Sequence, residues 1–338
     1  MRQAVMTEPG RIEFRQAPEP EPGPGELLLR VQRIGICGSD VHVWHGRHPF
    51  TSYPVVQGHE FSAVVEAAGE EVEDYRPGQK VTARPQVVCG ECPPCKRGDY
   101  HICDNLRVEG FQAPGCAQDL FVTNADRAVA LPEEFTHEQG ALVEPTSVAV
   151  HAVSRAGELE GRSVAVLGAG AIGNLVAQVC KARGAQVLIT DVAPFRLQVA
   201  EQCGIGATSN VKQEELAEAS ERVFGPGGFD VAFECAGVEA AVRSAIQGIN
   251  KGGTIVIVAV HGEEPTLPLA LVQDRELEMV GTLMYRHEDY EEAVRLIAGG
   301  QIATAPLDSK HFPFEQYAEA YEFIEQQGVR SMKVFIDM

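Results

Sequence analysis

The run Gly168-Ala169-Gly170-Ala171-Ile172-Gly173 follows directly on an apolar stretch, Val164-Ala165-Val166-Leu167, and opens a helix-forming segment that continues to about Ala182. Strand, glycine turn and helix in that order leave few folds open. Gly168 suits a tight turn, and Gly170 lets the main chain approach a pyrophosphate. Gly173 allows close packing of helix on strand, and the helix N-terminus turns its free N–H groups toward the phosphates. Ile172 belongs to the same turn. Asp191 closes the next apolar run, Val187-Leu188-Ile189-Thr190. A carboxylate there accepts hydrogen bonds from both hydroxyls of an adenosine ribose and repels a 2′-phosphate, which favours NAD over NADP. Arg196, one helical turn further on, is a candidate to stack on the adenine.

The surroundings of this turn carry the same rhythm. Short apolar runs at Ser163–Leu167, Gln186–Thr190, Asp230–Cys235 and Thr254–Val260 alternate with amphipathic segments. That pattern predicts a doubly wound parallel sheet covered on both faces, the Rossmann arrangement of an α/β protein. Up to about Val143 the chain reads differently. Strand-like runs such as Leu27–Val31, Ala63–Glu66 and Leu120–Thr123 are broken by turns, and Pro18 to Gly25 alternates proline with acid and glycine, an extended surface loop. Beyond Leu283 the pattern predicts helices over Asp289–Ala298 and Phe314–Glu325 and a closing strand, Lys333–Ile336.

Composition narrows the partners. With 28 basic and 48 acidic residues the 338-residue chain carries a formal charge of -20, which repels phosphate backbones and anionic membrane surfaces. No apolar stretch is long enough to span a bilayer, and the N-terminus lacks the apolar core of a signal peptide. These features predict a cytoplasmic protein that engages neither nucleic acid nor membrane. Nine cysteines in such a compartment point to metal or redox chemistry more than to disulfides.

Four of the nine fall together. Cys89, Cys92, Cys95 and Cys103 lie in a loop full of turn residues, with the spacing C-x2-C-x2-C-x7-C. Four thiolates satisfy a tetrahedral zinc and leave no open coordination position, so the predicted role is structural. An iron-sulfur cluster is the chemical competitor at such spacing. Cys116, Cys180, Cys203 and Cys235 share no spacing and read as small buried residues.

Two shorter motifs, Cys37-Gly38-Ser39-Asp40-Val41-His42 and Gly58-His59-Glu60, mix metal ligands with proton-handling groups. With the four-cysteine loop and the glycine turn after them, they make nearly the whole chain resemble the medium-chain zinc-dependent alcohol dehydrogenases, most closely the polyol (sorbitol) dehydrogenase branch. The resemblance implies a GroES-like β-barrel catalytic domain formed by residues 1–146 and 283–338, with an NAD-binding Rossmann domain at 147–282 inserted between. Substrate and nicotinamide would share the cleft. It implies a catalytic zinc on Cys37 and His59, with Glu60 a third ligand or close neighbour and Glu144 at the metal directly or through water. Ser39 and His42 would carry the hydroxyl proton away, and Asp40 would orient His59. Tyr285 would face the substrate, and the subunits would associate as dimers or tetramers.

The expected reaction is hydride transfer from a secondary alcohol of a polyol or diol to NAD. Two departures bear on the substrate. Val43 stands where polyol dehydrogenases carry an aromatic residue, and Met284 where they carry an arginine, leaving Arg286 to compensate if its loop turns inward. A 2,3-butanediol or L-threonine dehydrogenase is the rival within the same chemistry, and a non-catalytic protein that senses NAD and binds zinc structurally is the rival outside it. His45, His48, His101 and His261 read as structural or solvent-exposed.

Overall fold

The computed structural model describes residues 1–338, and its contacts divide the chain into two compact units. One comprises Met1–Glu144, Arg286–Val294 and Asp308–Met338; the other comprises Pro145–Tyr285 and Arg295–Leu307.

The first unit begins with the antiparallel pair β1 (Arg2–Glu8) and β2 (Arg11–Gln16). Its main sheet is organised by β3 (Glu26–Gly35), which pairs antiparallel with β4 (Glu60–Ala68) on one side. The remaining strands of the unit's N-terminal part are β5 (Lys80–Ala83), β6 (Gln86–Val87), β7 (Arg107–Val108), β8 (Leu120–Asn124) and β9 (Ala128–Ala130). β8 takes the start of the other edge of β3. Register shifts at Leu28/Leu29 and Val31/Arg33 bend the long strand, as bulges do. Leu27, Leu29, Val31 and Ile34 of β3 are fully enclosed and pack with Phe61, Ala63 and Val65 of β4 in the unit's core. Each such aliphatic side chain contributes roughly 1.5–3 kcal/mol by leaving water.

The second unit holds six parallel strands: β10 (Ser163–Leu167), β11 (Gln186–Asp191), β12 (Ala207–Asn210), β13 (Val231–Glu234), β14 (Thr254–Ile257) and β15 (Glu278–Gly281). Their order in the sheet is β12-β11-β10-β13-β14-β15, so the chain reverses its direction of travel between β10 and β13. That reversal is the switch point at which open α/β sheets bind ligands, beyond the C-terminal ends of the strands. Helices Ala171–Ala182, Pro194–Gln202, Leu216–Phe224 and Glu239–Gly248 alternate with the strands. Val164 to Leu167 of β10 are buried along their whole length, as a sheet covered on both faces requires.

Two more strands complete the first unit. β16 (Asp308–Pro313) pairs parallel with β17 (Lys333–Asp337), which runs antiparallel to the end of β3. Here Gly35 is flanked on both sides, opposite Glu60 of β4 and Phe335 of β17. Opposed residues share a face of a sheet, and so do residues two apart, which sets Lys333 on the face of Glu60 with Gly35 between them.

The doubly wound parallel sheet is as the apolar runs predict. β12 and β15 escape that reading because both are edge strands with polar or half-exposed residues and no apolar run to mark them. The boundary expected at 282/283 also differs from the contact division. Arg295–Leu307 packs with the second unit, where the Ala303 N–H donates to Gln178 Oε1 at 2.6 Å and the Cys203 thiol lies 3.7 Å from the Ala303 carbonyl oxygen.

Candidate active site

β3 delivers Cys37 two residues past its end, at the N-cap of helix Gly38–Trp44, and His59 precedes the first residue of β4. Ligand atoms of Cys37, His59 and Glu60 all lie within 4.8 Å of one another, and His59 and Glu60 are buried. Asp40 fastens both motifs. Its Oδ2 accepts the Cys37 N–H at 2.9 Å and so caps the helix, while Oδ1 lies 3.6 Å from His59 Nδ1. Asp40 is itself wholly buried and reached by Gln57 Nε2 at 3.3 Å, and Gln57 Oε1 in turn accepts from the Tyr321 hydroxyl at 2.8 Å. His59 Nδ1 thus faces that carboxylate without a hydrogen-bond partner, a buried ring nitrogen left open beside the thiol. Burial alone would lower its pKa, but Asp40, with Cys37 and Glu144, raises it well above the ordinary value. A site that draws positive charge onto its histidine, and holds a thiol and a carboxylate beside it, fits a divalent cation.

Glu60 is not an idle donor. Lys333, 4% exposed, donates to both of its carboxylate oxygens. Burial works against the lysine's charge, yet Glu60, with Cys37 and Glu144 further off, raises its pKa above the usual value. Glu144, 5% exposed, stands in the first turn of helix Val143–Ser154. Ser39 is half-buried and His42 exposed, three residues apart and so on one face of helix Gly38–Trp44.

The four-cysteine loop closes on itself. Cys103 Sγ lies 3.5 Å from Cys89 Sγ and 3.8 Å from Cys92 Sγ, and all four sulfurs fall within 4.8 Å. A tetrahedron with bonds of about 2.3 Å has edges of roughly 3.8 Å, so one zinc fits. A multi-iron cluster, whose thiolates bind different metal atoms, needs wider spacing. N–H groups of Glu91 and Cys92 pull the Cys89 thiol down to about 6, whereas desolvation and its sulfur neighbours push Cys95 up to about 12. Such a group carries its full thiolate charge only around a cation.

In the second unit the glycine turn has the form a dinucleotide needs. A Cβ on Gly173 would sit 1.8 Å from the Gly168 carbonyl oxygen, whereas at Gly170 nothing comes nearer than Arg196 Nη1 at 4.0 Å, which leaves the helix N-terminus open to a pyrophosphate. Asp191, at the end of β11, accepts the Ala169 N–H at 2.7 Å and the Ala193 N–H at 2.8 Å, with Arg196 Nη1 3.8 Å away.

Comparison with known proteins agrees with this geometry. The family model of the alcohol dehydrogenase GroES-like domain matches residues 23–133, and that of the zinc-binding dehydrogenase matches residues 171–299. The chain is 38% identical over 314 residues to the 2-dehydro-3-deoxy-L-galactonate 5-dehydrogenase of Pseudoalteromonas atlantica, across 92% of each protein. It belongs to the medium-chain zinc-dependent alcohol dehydrogenases. Within them it is 35% identical to the sorbitol dehydrogenase of Homo sapiens, over 97% of this chain and 94% of that one. Among solved structures it is similar to a zinc-binding dehydrogenase of Sinorhizobium meliloti bound to NADP, with TM-score 0.93, 32% identity, and 100% and 99% of the two chains covered. No helix is long and apolar enough to cross a membrane.

The dehydrogenase fold brings some of the expected residues together and sends others elsewhere. Cys37, His59, Glu60 and Asp40 converge, and Gly168, Gly170, Ile172, Gly173, Asp191 and Arg196 gather around the nucleotide turn. Val43 is buried in the core and does not stand in for a substrate-facing aromatic. Arg286 is held by Asp99, with Nη2 donating to Oδ1 at 2.6 Å, so it does not turn inward. Tyr285 is wholly buried, which leaves its ring no exposed surface. Sequence reasoning missed Lys333, Gln57 and Tyr321. The one available signal was a lysine opening the apolar closing strand Lys333-Val334-Phe335-Ile336.

Proposed function

We propose that the chain oxidises a secondary hydroxyl on a short polyhydroxylated substrate, a polyol, diol or sugar acid, with NAD as hydride acceptor. The observation that carries this reading is the buried convergence of Cys37, His59 and Glu60, with His59 backed by Asp40. The relatives named above, which act on sorbitol and on a deoxy sugar acid, support the substrate class. A zinc there supplies Lewis acidity to the substrate hydroxyl, and the nicotinamide takes up the hydride.

The chain's own groups do the rest. Cys37 and His59 would hold the metal, with Glu60, whose oxygens Lys333 also engages, or Glu144 as the third donor. Asp40 stands beside the His59 ring, Ser39 would take up the substrate's hydroxyl proton while passing its own to the cofactor ribose, and His42, exposed on the same helix face, would take a proton from that ribose and release one to water. Cys89, Cys92, Cys95 and Cys103 would hold a second, structural zinc. Asp191 favours NAD, because a 2′-phosphate would meet its carboxylate. With Arg286 tied to Asp99, no guanidinium from this loop serves the far end of a long substrate, which favours short ones.

Two further features belong to this reading. The outer edge of β15 has no partner strand, an invitation for a second copy to extend the sheet, and we read the protein as a homo-oligomer. Nine free cysteines favour the reducing cytoplasm.

Steady-state rates with sorbitol, xylitol, 2,3-butanediol, L-threonine and a deoxy sugar acid at fixed NAD test the proposal. Polyols, diols or the sugar acid should reduce NAD and L-threonine should not. A protein that holds zinc at both sites yet reduces NAD with none of them would be the non-catalytic sensor instead.

A further inference from the structure

Between Asp40 and Glu60 the chain carries no acidic residue, although acids make up 48 of its 338 residues. The same residues, 41–59, hold four of its ten histidines, His42, His45, His48 and His59, together with Arg47. In a chain whose net charge of -20 repels anions elsewhere, such a stretch beside the reaction centre is where an anion can approach. His45 is spent on Glu325, and His42 is the exposed proton-release group of the function proposed above.

His48 is held in one orientation. Its ring lies flat on Phe111, with centroids 4.5 Å apart and 11° between the planes, and Phe111 in turn meets the His59 ring at 4.9 Å. Nδ1 pairs with the Thr51 hydroxyl at 2.7 Å, which leaves Nε2, at the opposite edge of the ring, with no bond inside the protein. When the Thr51 hydroxyl donates to Nδ1, the ring proton sits on Nε2 as a donor for an incoming oxygen. Burial pushes the pKa of His48 down, and His42 and His59 push it the same way, so the charges it feels are cationic ones. A fixed, unpartnered donor in such a field suits an anionic oxygen better than a neutral hydroxyl.

The reach is suitable. Two ring-to-ring steps separate His48 from His59, a distance that a chain of about five or six carbons spans. A substrate whose hydroxyl reacts at Cys37 and His59 can bring its far end to His48, and Arg286, tied to Asp99, does not compete for that end. We propose that His48 binds a carboxylate at the end of the substrate remote from the reacting hydroxyl, so that the substrate is a sugar acid and not a neutral polyol. The proposal deepens the function above and rests on its placing of the reacting hydroxyl at Cys37 and His59. Arg47, exposed one residue earlier, adds charge that draws the acid in, while His48 is the group that touches it.

The test uses pairs that differ only at the terminal carbon: D-xylonate with xylitol, D-gluconate with sorbitol, and L-idonate with L-iditol, on the full-length, zinc-loaded protein with NAD. The best acid should exceed its polyol by about tenfold or more in kcat/KM, the scale of one charge-assisted hydrogen bond. His48→Phe keeps a ring on Phe111 and removes Nε2. It should raise KM for the acid by about tenfold, with kcat and the polyol's KM each within about twofold of wild type. His48→Gln, whose amide can still donate, should recover part of the acid's affinity. Calorimetric binding of the acid to the NADH-saturated protein should follow the same order without turnover. Polyols used as well as their acids, or a His48→Phe variant that weakens both members of a pair alike, would overturn the proposal. So would a protein that oxidises 2,3-butanediol and none of the acids. A protein that reduces NAD with none of these substrates would overturn the proposed function itself, and the role of His48 with it.

Discussion

Lys333 reaches Glu60 across Gly35, the one residue of the intervening strand with no side chain to stop it; a Cβ there would come 2.6 Å from Glu60 Oε2. The carboxylate beside the metal donors thus has its counter-charge on a different strand. Removing one partner of a buried pair leaves an uncompensated charge, at a cost of about 3–5 kcal/mol. Lys333→Met should lose stability on that scale, and adding Glu60→Gln should recover more than half, since a neutral amide needs no counter-ion. Urea unfolding at matched zinc content measures both. A loss below about 1 kcal/mol for Lys333→Met would show that the pair supports nothing.

Cys103 lies within 3.8 Å of two other sulfurs of its loop. Cys103→Ser should therefore halve the zinc content, from about two ions per chain to about one, while Cys37→Ser should remove the other ion. Elemental analysis after gel filtration distinguishes them. Loss of both ions from either variant would contradict two independent sites.

Asp191 is the sole carboxylate that meets the Ala169 N–H of the glycine turn, with Arg196 close by. Asp191→Ser should raise NADP use relative to NAD by on the order of a hundredfold in kcat/KM, because the repulsion goes and the Arg196 charge remains. An unchanged preference would place the discrimination elsewhere.

Glu109 gives a pH signature of stability. Burial pushes its pKa up to about 7, although Arg127, 2.6 Å away, pulls it down, and its Oε2 has no hydrogen-bond partner. The folded protein thus holds this proton more tightly than the unfolded chain, whose value is near 4.5. Stability falls as pH rises from about 4.5 through about 7, by up to roughly 3 kcal/mol at about 1.4 kcal/mol per unit. Glu109→Gln removes that slope. Parallel unfolding profiles for wild type and variant between pH 5 and pH 8 would refute the assignment.

The parts of the site that could be read from the sequence are those that nearby residues define. Cys37 and Asp40, which cap one helix, lie within four positions, the four thiols lie in one loop, and the glycine turn is continuous with its strand and helix. The rest depends on sheet register. Lys333 and Glu60 are 273 residues apart, and Tyr321 lies 264 from Gln57, so only the pairing of β17 with β3 and the packing of helix Tyr317–Gln327 bring them in. Val43 shows the opposite failure. A substrate-facing position taken from relatives proved to be a core position, because its helix turns that side chain inward.

The window at Gly35 also sets an order of events during synthesis. The ribosome releases Cys37 and His59 long before it reaches Lys333. Until the closing strand docks beside β3, Glu60 lacks the lysine that engages both of its oxygens. Docking of that strand adds an ammonium and engages Glu60, so the carboxylate beside Cys37 and His59 meets its counter-charge only when the last strand of the sheet is in place.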